Sequence, residues 1–458
     1  MKKLLLGAVT LMLGAASMNA QSVKDPAVYT AVNGYGLKNL WIQSEKTNSN
    51  TELLTRLGAN ARGMAVLNGE VLFCKRLGDP NVSSIDVYDG ATGAFKRNVQ
   101  LAANVFLQND GTAVGIPCND IQVDAAGHVL VCNLETNAAK ESFQVWSINM
   151  ADGSGTKVLD CLLPDVVTAN GLRFDAFGVY GDVTGDGYLM AAAAGDEAGV
   201  GNQVLRWDIK GGVVDGSNPT FITISSYYPA AAITNGTAPR VCPVDNDLFY
   251  LDGFNSAATL YGMDGVMVDS FTAAPDCTPY NVGNNGVDEF TINGKNFVAY
   301  VYSNTVGVPP QAWNLCELGA GQSFTGMQKY FQFPEAGMGA ASNAVRTALP
   351  RIEVNAAKTV ATIYVYAKGA GVAAYQFGLA SDIGTGIKET TADAALKVVA
   401  TANGIELSEA ANVEVFNFAG QKVAAKANAS KVTLAPGMYI VKAVTAEGAV
   451  ATAKVNVK

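Results

Sequence analysis

The sequence predicts an all-β protein, and three observations carry that prediction. Between about residue 60 and residue 380, β-branched and aromatic runs alternate with Gly, Asn and Asp turns, and no 3.6-residue period is sustained. The runs group into units of four that recur at intervals of roughly 47 to 68 residues. The last unit is one strand short, while an isolated run, NLWIQSE at 39–45, stands before the first unit with nothing nearby to pair with. A ring of sheets closed by joining the two chain ends would use that strand and remove exposed edges. The expected architecture is a six-bladed β-propeller over 21–380, with seven blades as the alternative, followed by a small Ig-like β-sandwich.

The units follow one another in the same order. The first reads GMAVLN, EVLFCKR, SSIDVYDG, AFKRNVQL, and the second DIQVDAAG, HVLVCNLE, FQVWSINM, TKVLDCLL. A third runs through RFDAFGVYGDV, GYLMAAAAG, QVLRWDIKG and PTFITIS, and a fourth through RVCPVD, DLFYLDG, ATLYGMDG and VMVDSFT. The fifth has VDEFTING, KNFVAYVYSN, QAWNLCELG and KYFQFPE; the sixth has RIEVNAA, TVATIYVYAKG and GVAAYQFGL. Trp146, Trp207, Tyr261, Trp313 and Tyr375 fall on the third strand of successive units. Equivalent aromatics in unit after unit are expected to pack one sheet on the next.

The chain has 458 residues, 49% of them hydrophobic, and a formal net charge of −9. That charge argues against nucleic acid and anionic membrane surfaces, which need clustered Lys and Arg. At the N-terminus, two lysines, an apolar run from Leu4 to Leu13 and small residues up to Ala20 have the layout of a secretory signal, 1–20. No later stretch approaches the roughly 20 apolar residues needed to span a bilayer. The expected location is therefore outside the cytoplasm: cell surface, extracellular space or periplasm. Seven cysteines include no C-x-x-C pair, which disfavours zinc and leaves disulfide pairing open.

Candidate binding residues lie just before or at the first strand of each unit. Asn60, Asn119, Asn170, Asn235, Asn285 and Asn343 recur there, followed within a few positions by Arg62, Asp120, Arg173, Arg240, Asp288 and Arg346. First strands of propeller blades line the central channel, so these side chains are expected at one mouth. Four arginines converging there would favour a carboxylate or sulfate. The competing reading is structural, with Asn starting turns and Arg pairing with nearby Asp.

His128, the only histidine, sits in a strand-turn-strand connection and is expected to be a turn residue. In GDVTGDGYLM, Asp182, Thr184 and Asp186 followed by Gly187 open like a calcium loop, but Met190 and Ala193 occupy its ninth and twelfth positions. The stretch also resembles the calcium-binding hairpins of integrin-type propeller repeats, without their final Asp. A tight Asp/Gly turn explains it equally.

After a Gly, Thr and Ala-rich linker at 381–391, strand-like runs resume over 392–458: LKVVAT, GIELS, NVEVFNFAG, QKVAAKA, KVTLA, GMYIVKAVT and AVATAKVNVK. Asn417, Gly420, Gln421 and Val423 form one motif, and Leu434, Pro436, Gly437, Tyr439, Val441 and Lys442 another, ahead of a terminal strand ending at Lys458. This tail resembles the type IX secretion C-terminal sorting domain. The resemblance implies recognition by outer-membrane secretion machinery and anchoring at the cell surface. For the body two readings stand: a noncatalytic protein that binds an anionic glycan or peptide at the channel mouth, or a metal-dependent propeller enzyme of the lactonase-like hydrolase or polysaccharide lyase kind.

Overall fold

The computed structural model describes residues 25–45, 51–76, 82–165, 171–195, 199–280, 286–303, 309–339, 347–384, 396–417, 420–446 and 450–457. The segment read as a secretory signal, the linker from 385 onward, Asn170, Asn285, Asn343, Arg346 and Lys458 lie outside them. The described residues are all-β and propeller-like, with every pairing between the named strands antiparallel. One short α-helix, Glu52–Leu57, is capped by the Thr51 hydroxyl accepting from the Leu54 N–H.

Sheet I is an up-and-down meander of Ala61–Leu67, Glu70–Lys75, Ser84–Asp89 and Phe95–Gln100. Sheet II repeats the pattern with Asp120–Val123, Val129–Cys132, Phe143–Ile148 and Gly155–Cys161. Sheet III departs from it: two short pieces, Arg173–Phe174 and Gly178–Gly181, share the edge of Gly187–Ala194, and Gln203–Lys210 pairs with both Val213–Val214 and Thr220–Thr223. Sheets IV and V begin at Arg240–Pro243 and Val287–Ile292 and return to four strands. Sheet VI takes three strands from its own stretch, starting at Ala348–Val354 and ending at Gly371–Leu379. Its fourth strand is Tyr35–Ser44, which pairs with Gly371–Leu379 from Tyr35↔Leu379 to Ser44↔Gly371.

Alternating apolar residues give each sheet two buried faces, and the cores form between consecutive sheets. Ile85 and Trp146 share one between sheets I and II, and Phe143 and Trp207 another between II and III. Tyr188 and Phe249 join III to IV, Tyr250 and Tyr300 join IV to V, and Trp313 and Tyr375 join V to VI. Trp41 and Tyr366 of sheet VI then pack with Phe73 and Tyr88 of sheet I, so the series returns to its start. The recurrent third-strand aromatics are thus packing residues, with Trp207 and Trp313 at 1% and 0% exposure. First strands approach closely where a side chain is missing: a Cβ on Gly63 would come within 2.5 Å of Asp120 Oδ1, and one on Gly178 within 2.5 Å of Pro243.

The tail forms one five-stranded sheet with its own core. The sequence reading gives seven strand-like runs over this stretch, whereas GIELS and NVEVF merge into the single strand Gly404–Phe416 and QKVAAKA and KVTLA into Lys422–Thr433. Irregular register between Glu406 and Ala411 absorbs the break that the sequence suggests.

Candidate functional site

The first strands of the sheets surround two chambers, each of about 250 Å³. Residues at or before the strand starts, such as Arg62, Asn119, Arg173, Thr237 and Thr347, line one chamber. Residues further along, such as Val66, Gln122, Val179, Pro243 and Ile352, line the other. These strands therefore run the same way along the channel, which brings the positions preceding them to one end.

Three of the four arginines expected at the mouth, Arg62, Arg173 and Arg240, meet in that first chamber together with Asn119; Arg346 lies outside the described residues. Arg76 completes the group and escaped the sequence reading. It follows the second strand of sheet I rather than preceding a first strand, and its N–H donates to the Asn60 carbonyl, which sets it beside the neighbouring strand start. The only signal for it is the Lys-Arg pair closing EVLFCKR.

Arg76 is held by Asn119, whose Oδ1 accepts from Nε at 2.8 Å and from Nη2. Asn119 Nδ2 in turn donates to the Asp175 carbonyl oxygen. Arg173 forms a two-pronged pair with Asp175, Nε to Oδ2 at 2.8 Å and Nη2 to Oδ1 at 2.7 Å. Arg62 Nε is buried with no hydrogen-bond partner among the described residues. Burial lowers the Arg62 pKa, only partly opposed by Tyr366 and Asp175. Burial and then the Arg62 charge bring Arg76 down to about 10. Lys368 is lowered by the same two causes, burial followed by Arg62 and Arg76. The chamber thus concentrates positive charge that its own carboxylates leave under-compensated, a site that favours an anion.

Not every expected residue gathers there. Asn235 is fully buried, its Nδ2 donating to the Ala193 and Gln203 carbonyls and its Oδ1 accepting from Tyr227, so it fastens a loop and does not face the chamber. Asp288 lines the other chamber, as do Gly286 and Val287 beside it; its Oδ2 accepts from the Ile352 N–H at 3.2 Å. Burial pushes Asp288 up to about 6, against the pull of Arg351. Adjacent Glu289 is pushed up to about 7 by burial and accepts from Tyr250 and Gln322.

The Asp182–Gly187 turn joins Gly178–Gly181 to Gly187–Ala194. Asp182 Oδ1 accepts from the backbone and hydroxyl of Thr184, whereas Asp186 accepts from the Gly211 N–H and pairs with Lys210 at 3.6 Å. Asp182 instead approaches His128, at 3.6 Å from Nδ1, and buried Asp124, whose Oδ2 lies 2.9 Å from the same nitrogen. These three form a group with the residue types for a divalent cation. Asp124 is already engaged by the N–H groups of Ala126, His128 and Val183, so the arrangement also acts as a clasp between sheets II and III.

In the tail, Gly420 at φ +76° turns the hairpin between Gly404–Phe416 and Lys422–Thr433, where a side chain would be strained. Gln421, Val423, Pro436 and Lys442 are exposed, while half-buried Tyr439 packs on the tail core and donates to the Ala435 carbonyl.

The sequence matches no protein-family model and no curated protein. Among solved structures, a DUF4623 family protein from Bacteroides eggerthii aligns with a TM-score of 0.54 at 15% identity, over 77% of this chain and 77% of that one. Kuenenia stuttgartiensis hydrazine synthase gives 0.38 at 12% identity, over 90% and 99% of the two chains. A Trypanosoma rangeli sialidase in complex with sialic acid gives 0.37 at 8%, over 86% and 83%. The similarity to the Bacteroides eggerthii protein concerns the fold alone.

Proposed function

We propose that this is an exported binding protein whose six sheets are the blades of one propeller, and that it holds an anionic ligand in the arginine chamber. The ligand class is an acidic glycan or peptide. The observation that carries this reading is the buried Nε of Arg62, which has no hydrogen-bond partner among the described residues, beside Arg76, whose pKa is brought down to about 10. An uncompensated cation is costly to bury, and an incoming carboxylate or sulfate would offset that cost. The chamber's polar groups favour binding over the enzymatic alternative. Arg76 and Arg173 are donors fixed by Asn119 and Asp175. Calorimetry with acidic and matched neutral oligosaccharides tests it: only the acidic ones should bind, at least about tenfold more weakly in Arg62→Gln. Equal binding of the neutral set would refute it.

The five-stranded tail sheet is proposed to be an Ig-like sorting module that engages outer-membrane secretion machinery and delivers the body to the cell surface. Its support is the pair of motifs around Gly420 and Tyr439, which fall on a hairpin turn and on the strand Gly437–Val444.

A further inference from the structure

The two chambers share one lining residue, Arg240. It belongs to sheet IV, yet its Nη1 lies 2.9 Å from Asp120 Oδ1 of sheet II and its Nη2 donates to the Arg62 carbonyl of sheet I at 3.3 Å. In a ring of six, sheets I and IV are opposite one another, so this side chain crosses the channel. It is only 11% exposed, and the Asp120 side chain is 0% exposed. A buried charge pair of this kind is a fixed bar, since breaking it leaves a charge uncompensated.

We propose that the arginine chamber is closed-ended and reads the terminal acidic sugar of a glycan rather than an internal segment of the chain. The inference rests on the anion-binding reading above. The 250 Å³ volume falls below the roughly 300 Å³ at which small-molecule pockets usually begin, and suits a single ring. A polymer threading the channel would have to pass the Arg240–Asp120 bar. The walls fit a sugar: Ile116 and Leu134 offer an apolar flank, while Thr136 brings a hydroxyl that can both donate and accept. The carboxylate would then sit against Arg62 and Arg76.

The test uses the full chain and three probes: sodium sulfate, free glucuronic acid with its methyl ester, and oligouronides of increasing length at equal uronate mass. End reading predicts that glucuronic acid binds at least tenfold more tightly than its ester. It also predicts that protein bound per unit mass of oligouronide falls as chains lengthen, because chain ends become scarcer. Arg76→Gln should weaken sulfate and glucuronic acid together, with circular dichroism confirming its fold. Several protein molecules on one long chain, or binding that follows uronate mass, would overturn end reading. Sulfate binding that Arg76→Gln abolishes, without any preference for glucuronic acid, would overturn the sugar reading while leaving the anion site standing. No response to any probe would overturn both.

Discussion

The indole Nε1 of Trp41 donates to the Gly90 carbonyl at 2.8 Å, joining the early strand of sheet VI to a turn of sheet I. Trp41 is 8% exposed and packs with Phe73, Tyr88 and Tyr366, so one residue serves both the last sheet and the first. Trp41→Ala should cost about 3–5 kcal/mol, as for other buried aromatic truncations. Urea denaturation would show it; a loss well under 1 kcal/mol would mean that this contact does not hold the ring shut.

The bar between the chambers should behave as a buried pair. Arg240→Ala strands the Asp120 carboxylate and is expected to lower stability by about 3–5 kcal/mol. Replacing both at once, Arg240→Gln with Asp120→Asn, should recover most of that loss. Thermal melting of the single and double variants decides the matter, with equal losses counting against coupling.

Asn235 offers a contrast with the chamber residues. Asn235→Ala removes the partner of Tyr227 and of two carbonyls, and should destabilise the fold by about 1–3 kcal/mol while leaving anion affinity intact. Calorimetry alongside a melt separates the two effects.

Asp288 and Glu289 predict a pH dependence. Burial raises them to about 6 and about 7, above their ordinary 3.8 and 4.5, so the folded chain retains protons that the unfolded chain releases. Their contribution is complete below about pH 4 and is lost as pH rises through 6 and 7. Urea midpoints should therefore fall between pH 5 and pH 8 by less in Asp288→Asn/Glu289→Gln than in the native chain. An identical fall in both would remove these two groups from the account.

Removing 392–458 tests the tail. If it directs sorting, the truncated body should fold but remain in the periplasm of a host with the secretion machinery, as fractionation would show. Surface delivery of the truncated chain would rule out that role.

The sequence makes much of the fold legible because strand runs and turns alternate locally, and Trp146, Trp207 and Trp313 mark equivalent places. Three channel arginines were legible for the same reason: Arg62, Arg173 and Arg240 stand in register with the strand starts. Arg76 was not, since its place depends on its backbone hydrogen bond to Asn60, just before the neighbouring strand. Nor was the division of the channel, because Arg240 meets Asp120 across space and no local pattern announces it. Sheet III was the least regular: a two-residue piece at Arg173–Phe174 is too short to have a period.

The pairing of Tyr35–Ser44 with Gly371–Leu379 also sets an order of events. A chain made or threaded from its N-terminus presents that first strand long before its partner exists. Until the partner arrives, every partial product has an open seam at the Trp41 side, and final locking is postponed to the moment the body is nearly whole. Late closure of this sort leaves the two rims of the seam apart until the last sheet has been made.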